Sequence, residues 1–122
     1  NSGGTTTTNT QSDAGVYSGS ATRYLQVEGS PLVSSSYLIT FAISAQNRIS
    51  TDNLHPGSHM ETTLAGSDFV MNAAVNESGM TGNIQYSGTV LNGRITGSIA
   101  GTATTSTGTN GTYTGVFSAI RE

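Results

Sequence analysis

Apolar and polar side chains alternate along several segments of this chain, with the period of two that is typical of half-buried β-strands. From Tyr37 to Ser44, every second residue is a large apolar one, and the other face includes Thr40, Ala42 and Ser44. The segment from Phe69 to Asn76 repeats this pattern, with two asparagines on its polar face. Met and Ala also favour helices, so a helix is the alternative at the second segment. The alternation predicts a strand at both.

A β-hairpin is the clearest prediction, and it lies within Met80–Ala103. Asn92-Gly93 is typical of a two-residue type I′ turn, in which both positions need a positive φ. This turn places Leu91 opposite Arg94. The register then pairs Val90 with Ile95, Gly88 with Gly97, Tyr86 with Ile99, and Ile84 with Gly101. All eight of these residues share one face, so the turn and the hydrophobic pattern agree.

Further strands are predicted from weaker alternation. They are Val16–Val27, Ile49–Asn53, Met60–Ala65 and Thr112–Ile120. In the last strand, one face carries Tyr113, Gly115, Phe117 and Ala119. A tight turn at Asn110-Gly111 would pair Gly101 with Ile120, which conflicts with the inner-face pattern. A longer loop within Thr104–Gly111 is the alternative, and the register of this strand stays open.

The number and spacing of these strands predict an all-β fold. About eight short strands joined by short loops favour a small antiparallel up-and-down barrel, with a β-sandwich as the alternative. The 122 residues fit one domain. Residues 1–13 contain no large apolar side chain, so we expect a flexible leader there and a single β-barrel domain over 14–122.

Glycines recur on the predicted inner face. They are Gly88, Gly97, Gly101 and Gly115, and they alternate with Tyr86, Ile99 and Phe117. Glycine within a strand often marks bending or close packing. We therefore expect a small interior filled by large side chains. The alternative is that the missing side chains leave a pocket for a ligand.

Composition narrows the classes of partner. The chain has four basic residues, all arginine, seven acidic ones, a net charge of -3 and no cysteine. The lack of cysteine excludes disulfides and thiolate metal sites. So little positive charge disfavours nucleic acid and anionic membrane surfaces as partners. A polar surface built from Ser, Thr, Asn and Gly predicts an exported or cell-surface β domain.

Three segments share a Gly- and Thr-rich cadence: Gly15–Gly19, Gly93–Gly97 and Gly111–Ala119. This cadence resembles the strands of small bacterial β-barrel surface lipoproteins, such as the barrel domains of transferrin-binding protein B and factor-H-binding protein. The resemblance implies an eight-stranded barrel exported to the outer membrane or cell surface of a Gram-negative bacterium, with the periplasm as the alternative. It also implies contact with a host or envelope protein, and membrane attachment only through an N-terminal lipid anchor that is not in this chain. It transfers no binding residue.

Few residues of the sequence are candidates for a metal or catalytic site. The residues considered for a metal site are His55, His59, Asp52, Glu61 and Asp68. Two histidines four residues apart share a metal on a helix, but Pro56-Gly57 between them predicts a loop. We therefore expect a solvated loop there. The sequence contains no nucleophile elbow, phosphate loop or dinucleotide fingerprint, so we expect no catalytic residue, no cofactor and no metal.

The functional hypothesis is therefore a non-enzymatic binding or surface antigen protein. A lipocalin-like carrier of a small apolar ligand is the alternative, and a hydrolase is a third hypothesis. The stretch from Tyr24 to Tyr37 contains Pro31 and several serines, which predict a surface loop that presents Leu32 and Val33. Tyr24, Leu32 and Val33 are the predicted contact surface.

Overall fold

Eight antiparallel β-strands make up this computed structural model, which describes residues 13–55, 58–77 and 79–122. They are β1 (Gly15–Val27), β2 (Val33–Ile43), β3 (Arg48–Thr51), β4 (Met60–Thr63), β5 (Asp68–Glu77), β6 (Met80–Leu91), β7 (Arg94–Thr105) and β8 (Asn110–Arg121). The all-β prediction is confirmed, and the helix considered at β5 is wrong. The flexible leader is expected over residues 1–13, of which residues 1–12 lie outside the described residues.

All eight strands belong to one sheet, in the order β4-β3-β2-β1-β8-β7-β6-β5. Consecutive strands pair with each other, except β4 and β5, which stand at the two ends of the sheet. The first and last strands, β1 and β8, also pair with each other. A tight turn joins β4 to β5, with one bridge between Ala65 and Asp68. The sheet is therefore a nearly closed up-and-down barrel rather than a sandwich, and we call the interval between β4 and β5 the seam.

The β6–β7 hairpin has the predicted register. Leu91 lies opposite Arg94, and Tyr86 lies opposite Ile99. Asn92 and Gly93 have φ angles of 53° and 74°, as a type I′ turn requires. The inner-face pattern is confirmed with it, because Tyr86 and Ile99 are both buried.

The register of β8, which the sequence leaves open, follows from a longer loop. Residues 106–109 connect β7 to β8, and the Thr105 N–H donates to the Thr109 carbonyl at 2.9 Å. Gly101 consequently pairs with Tyr113, and the tight turn considered at Asn110-Gly111 is wrong. This register places the buried side chains of β8 in the interior.

Strands β3 and β4 are shorter than predicted. β3 ends at Thr51 instead of Asn53, and β4 ends at Thr63 instead of Ala65. Asn53 does not continue the ladder, because its side-chain Oδ1 accepts a hydrogen bond from the Thr40 N–H at 2.9 Å. The chain leaves the sheet after Thr51 and turns inward.

Three aromatic rings fill the middle of the barrel. Phe41 of β2 lies 6.0 Å from Phe69 of β5 and 5.8 Å from Phe117 of β8 between ring centroids. The rings of Phe69 and Phe117 lie against Gly88 and Gly97, which pair with each other. A Cβ at either glycine would overlap a ring, so only glycine leaves room. We call these five residues the phenylalanine layer, and they confirm the predicted filled interior at this level.

Candidate functional site

The predicted contact residues lie on the β1–β2 hairpin at one end of the barrel. The exposed fraction is 37% for Tyr24, 57% for Leu32 and 55% for Val33. Tyr24 pairs with Ser34 across the two strands, and the next pair joins Leu25 to Val33. The fold therefore brings the three predicted residues to the same end of the barrel, with Tyr24 on the outer face and Val33, opposite Leu25, in the inward-facing row at the start of β2.

The surface loop predicted from Tyr24 to Tyr37 is wrong. Only residues 28–32 connect the two strands, and Gly29, with a φ of 79°, forms part of the turn. Three of the four serines that suggested a loop lie in β2, where Ser34–Ser36 pair with β1. Small hydroxyl side chains fit a solvated strand face as well as a loop, so composition alone does not separate the two.

Leu38 is an exposed apolar residue that the predicted contact surface omits. Its side chain is 81% exposed on the outer face of β2, opposite Ser20 of β1. The alternation that buries Ile39 also places Leu38 outside, so this signal is present in the sequence. We call Tyr24, Leu32, Val33 and Leu38 the β2 patch.

His55 is buried, and the expectation that it lies in a solvated loop is wrong. Its Nδ1 is 2.8 Å from the hydroxyl oxygen of Tyr86, inside the barrel. The neighbouring Leu54 is fully buried, and its carbonyl accepts a hydrogen bond from the Tyr37 hydroxyl at 2.7 Å. Burial of the Leu54 side chain carries the adjacent His55 into the interior. The segment between β3 and β4 is thus fastened to both β2 and β6.

His59 is exposed and belongs to a charged cluster outside the barrel. Its Nδ1 lies 2.5 Å from Asp52, and its Nε2 lies 3.3 Å from Glu61. Hydrogen bonds to Asp52 and then to Glu61 raise the pKa of His59. Hydrogen bonds from Arg48 and then from His59 lower the pKa of Glu61. Asp52 and Glu61 thus converge on His59, as a shared site would require.

Asp68, the third acidic residue considered for this site, lies elsewhere. It accepts a hydrogen bond from the Thr89 hydroxyl at 2.8 Å on the outer face of β5 and β6. Within the described ranges, no three His, Asp or Glu side chains are arranged to hold a metal ion. The cluster at His59 is therefore a set of ion pairs on the surface of β3 and β4.

Arg23 points into the barrel, and it is not among the predicted site residues. Arg23 lies on the inward face of β1, with its guanidinium carbon 5.2 Å from the ring centroid of Tyr113. Alternation from the buried Tyr17 and Ala21 predicts this direction. Burial raises the pKa of Tyr37, and the charge of Arg23 opposes that rise. This end of the interior is thus lined by polar tips on aromatic side chains.

The outer faces of β5 to β8 carry shallow concavities lined mostly by hydroxyl and amide side chains. One of about 610 Å³ is bordered by Asp68, Val70, Ser87, Thr89, Thr96 and Ser98. Another of about 540 Å³ is bordered by threonines with Asn83 and Asn110. Hydroxyl and amide groups offer hydrogen bonds, but neither concavity is lined by two carboxylates, which glycoside hydrolysis would require.

Comparisons with known protein families and curated proteins assign no family to this chain. No protein-family description matches it, and no curated protein is similar enough to be called a relative. In the part of the chain that the structure describes, no helix is long and apolar enough to cross a lipid bilayer.

Proposed function

We propose that this chain is an exported or outer-membrane-associated bacterial β-barrel domain that acts as a non-enzymatic binding protein or surface antigen. The β2 patch is the single observation that carries the proposal. The proposed partner is a host or envelope protein. The proposed location, the outer membrane or cell surface of a Gram-negative bacterium, comes from the resemblance of the Gly- and Thr-rich strands to surface lipoproteins.

Exposed apolar side chains are the physical reason for a binding role. Burying such a surface against a partner contributes about 25 cal/mol per Å². The side chains of Leu32, Val33 and Leu38 are each more than half exposed, and Tyr24 adds an aromatic ring with a hydroxyl. Aromatic residues dominate the energetics of many interfaces. Because the patch is small, we expect a partner to extend beyond it onto the neighbouring Ser and Thr side chains.

The packed interior supports binding on the outside of the barrel. A lipocalin-like carrier keeps open volume within the barrel for its ligand. Here the rings of Phe41, Phe69 and Phe117 occupy the middle of the interior, and Leu54 and His55 are buried as well. No observation favours the carrier over the binding protein.

Surface exposure is tested on intact cells of the source bacterium. An antibody raised against the purified chain should label unbroken cells, and added protease should remove that labelling. An antibody against a cytoplasmic protein is the control for cell integrity. Labelling that appears only after the cells are broken open would contradict the proposed location.

Binding is tested with purified host serum proteins and purified envelope proteins, each immobilised separately. The chain should bind at least one of them, and replacing Tyr24, Leu32 and Val33 with serine should weaken that binding about tenfold or more. Leu91 and Ile120 are exposed apolar residues outside the β2 patch, so their replacement with serine is the matched control. Equal loss in the two variants, or no binding by the parent chain, would contradict the proposal.

A further inference from the structure

We infer that the free edge of β2 pairs with the same edge of a second copy of this chain, joining two barrels through one continuous sheet. β2 spans Val33–Ile43, but β3 pairs with it only at Ala42 and Ile43. Over the rest of its length, the only strand paired with β2 within the described residues is β1. One side of this stretch is therefore an edge.

The backbone groups at this edge point away from β1. The Ser44 N–H donates to the Arg48 carbonyl at 2.9 Å, and the Thr40 N–H donates to Asn53, so even-numbered residues of β2 face the β3 side. Backbone direction alternates along a strand. The N–H and C=O groups of Ser34, Ser36 and Leu38 thus face the same side, beyond the last β3 pair.

This edge is complementary to itself. An antiparallel pair centred on Ser36 places Ser36 opposite Ser36 of the copy and Leu38 opposite Ser34 of the copy. Each of these facing pairs exchanges two hydrogen bonds, because all three residues direct their backbone groups outward. The contact has two-fold symmetry and closes with two chains, as isologous dimers do.

The same register covers the most exposed apolar side chain of the edge. Leu38 is 81% exposed, and in the pair it lies over the small side chain of Ser34 in the second copy. Ser34 pairs with Tyr24 in its own barrel, so Leu38 extends towards that ring. Two such contacts, related by symmetry, bury parts of the β2 patch of both copies.

Charge favours a second copy as the occupant. The stretch Val33–Ile39 contains no charged residue, and Ser20, Thr22 and Tyr24 on the adjoining outer face of β1 are also uncharged. Two identical edges therefore meet without like-charge repulsion. Edge strands that avoid pairing usually carry lysine, proline or an inward charge, and this stretch has none of these.

Cysteine trapping tests the register directly, because the natural chain has no cysteine. In the proposed dimer, Ser36→Cys places two sulfurs at the symmetry axis, where facing Cα atoms are about 5.5 Å apart. That separation suits a disulfide. Ser98→Cys on β7 and Ala74→Cys on the β5 edge are exposed controls. Under mild oxidation of the full chain, Ser36→Cys should form dimers about tenfold faster than either control, given this proximity.

Equal rates for the three cysteine variants would overturn the inference, and faster trapping at Ala74→Cys would assign the dimer to β5 instead. Sedimentation of the full chain is the second measurement. Leu38→Lys should raise the dimer dissociation constant about tenfold, since lysine suppresses edge pairing. Val116→Lys, at an exposed position of β8, should leave it unchanged. A parent chain that is monomeric up to about 1 mM, the weakest self-association worth assigning, would overturn the inference.

Discussion

His55 and Tyr86 form a polar contact inside the barrel. Buried polar groups need hydrogen-bond partners, because a lost partner leaves an uncompensated desolvation cost. The 2.8 Å contact between them joins the segment that follows β3 to the opposite wall of the barrel. Its edge-to-face ring geometry, with centroids 5.9 Å apart, adds to the packing. Together with the hydrogen bond from Tyr37 to the Leu54 carbonyl, this pair holds a segment that has no strand of its own.

Tyr86→Phe is expected to destabilise the fold by about 1–2 kcal/mol, because it removes the hydroxyl that contacts His55 and keeps the ring. The measurement is the free energy of unfolding from chemical denaturation. Tyr24→Phe, at an exposed tyrosine, should change that free energy by less than about 0.5 kcal/mol. Similar values for the two variants would show that the buried contact contributes nothing.

His59 should titrate above its ordinary pKa of 6.5, because Asp52 and Glu61 stabilise the imidazolium. An NMR titration of the ring protons measures this pKa. Asp52→Asn should move it downward, because Asp52 supplies the largest cause of the shift. A pKa of His59 at or below 6.5 in the parent chain would contradict the geometry of the cluster.

The sign of the pH dependence follows from the direction of each pKa shift. The His59 pKa is raised in the folded chain, so its contribution to stability is complete below pH 6.5 and is lost as pH rises through the folded value. The Glu61 pKa is lowered, so its contribution is present above pH 4.5 and is lost as pH falls through the folded value. Both groups are exposed, so solvent and salt screen these effects.

At the scale of elements, the β6–β7 hairpin depends on its turn. Gly93 has a φ of 74°, in the left-handed region, where other L-residues are strained. Gly93→Ala should destabilise the chain by about 1–2 kcal/mol, measured as the free energy of unfolding. Ser98→Ala, on the exposed face of β7, should change it by less than about 0.5 kcal/mol. No difference between the two variants would mean that the turn does not hold the hairpin.

The sequence determines this hairpin because two independent signals coincide there. A two-residue turn fixes the parity of both strands, and the same parity buries Ile84, Tyr86 and Ile99. The β7–β8 connection lacks this advantage. Several Thr, Gly and Asn residues there each permit a turn, and the loop at 106–109 becomes evident only when the pairing of β8 is known.

The candidate site residues are predictable from the sequence only in part, for two different reasons. Tyr24, Leu32 and Val33 are exposed as expected, although they lie on a hairpin instead of a long loop, because residues 28–32, with Gly29 at a positive φ, are enough to reverse the chain. His55 is a different case. Pro and Gly beside it predict a loop correctly, but local sequence does not show whether a loop side chain points outward or fills a gap in the core.

At the scale of the whole molecule, the phenylalanine layer links strands that are far apart in the sheet. Phe69 and Phe117 lie 6.3 Å apart across the interior, and each lies against a glycine of the β6–β7 hairpin. The width of the barrel at this level is therefore matched to rings packed on glycine. A substitution at Gly88 or Gly97 therefore affects strands on both sides of the interior.

Gly97→Ala should destabilise the barrel by about 1–3 kcal/mol, the usual cost of overpacking a filled core. Its Cβ would overlap the Phe117 ring and the Ser87 carbonyl. Combining it with Phe117→Leu should cost less than the sum of the two single substitutions, since the smaller side chain makes room. Thermal and chemical unfolding of the three variants measure this coupling. Strictly additive losses would show that the ring and the glycine do not share the space.

The seam between β4 and β5 makes this barrel a candidate for circular permutation. Glu122 lies beside the start of β1, because its N–H donates to the Val16 carbonyl at 2.8 Å, so a short linker could join the described ends. New termini in the exposed turn between Gly66 and Ser67 would then give a chain whose order from β5 to β4 equals its order in the sheet. Every strand pair would become a local hairpin, whereas Tyr17 and Arg121 now pair across nearly the full chain. Lower contact order speeds folding, so stopped-flow refolding of the permutant should be faster than that of the parent.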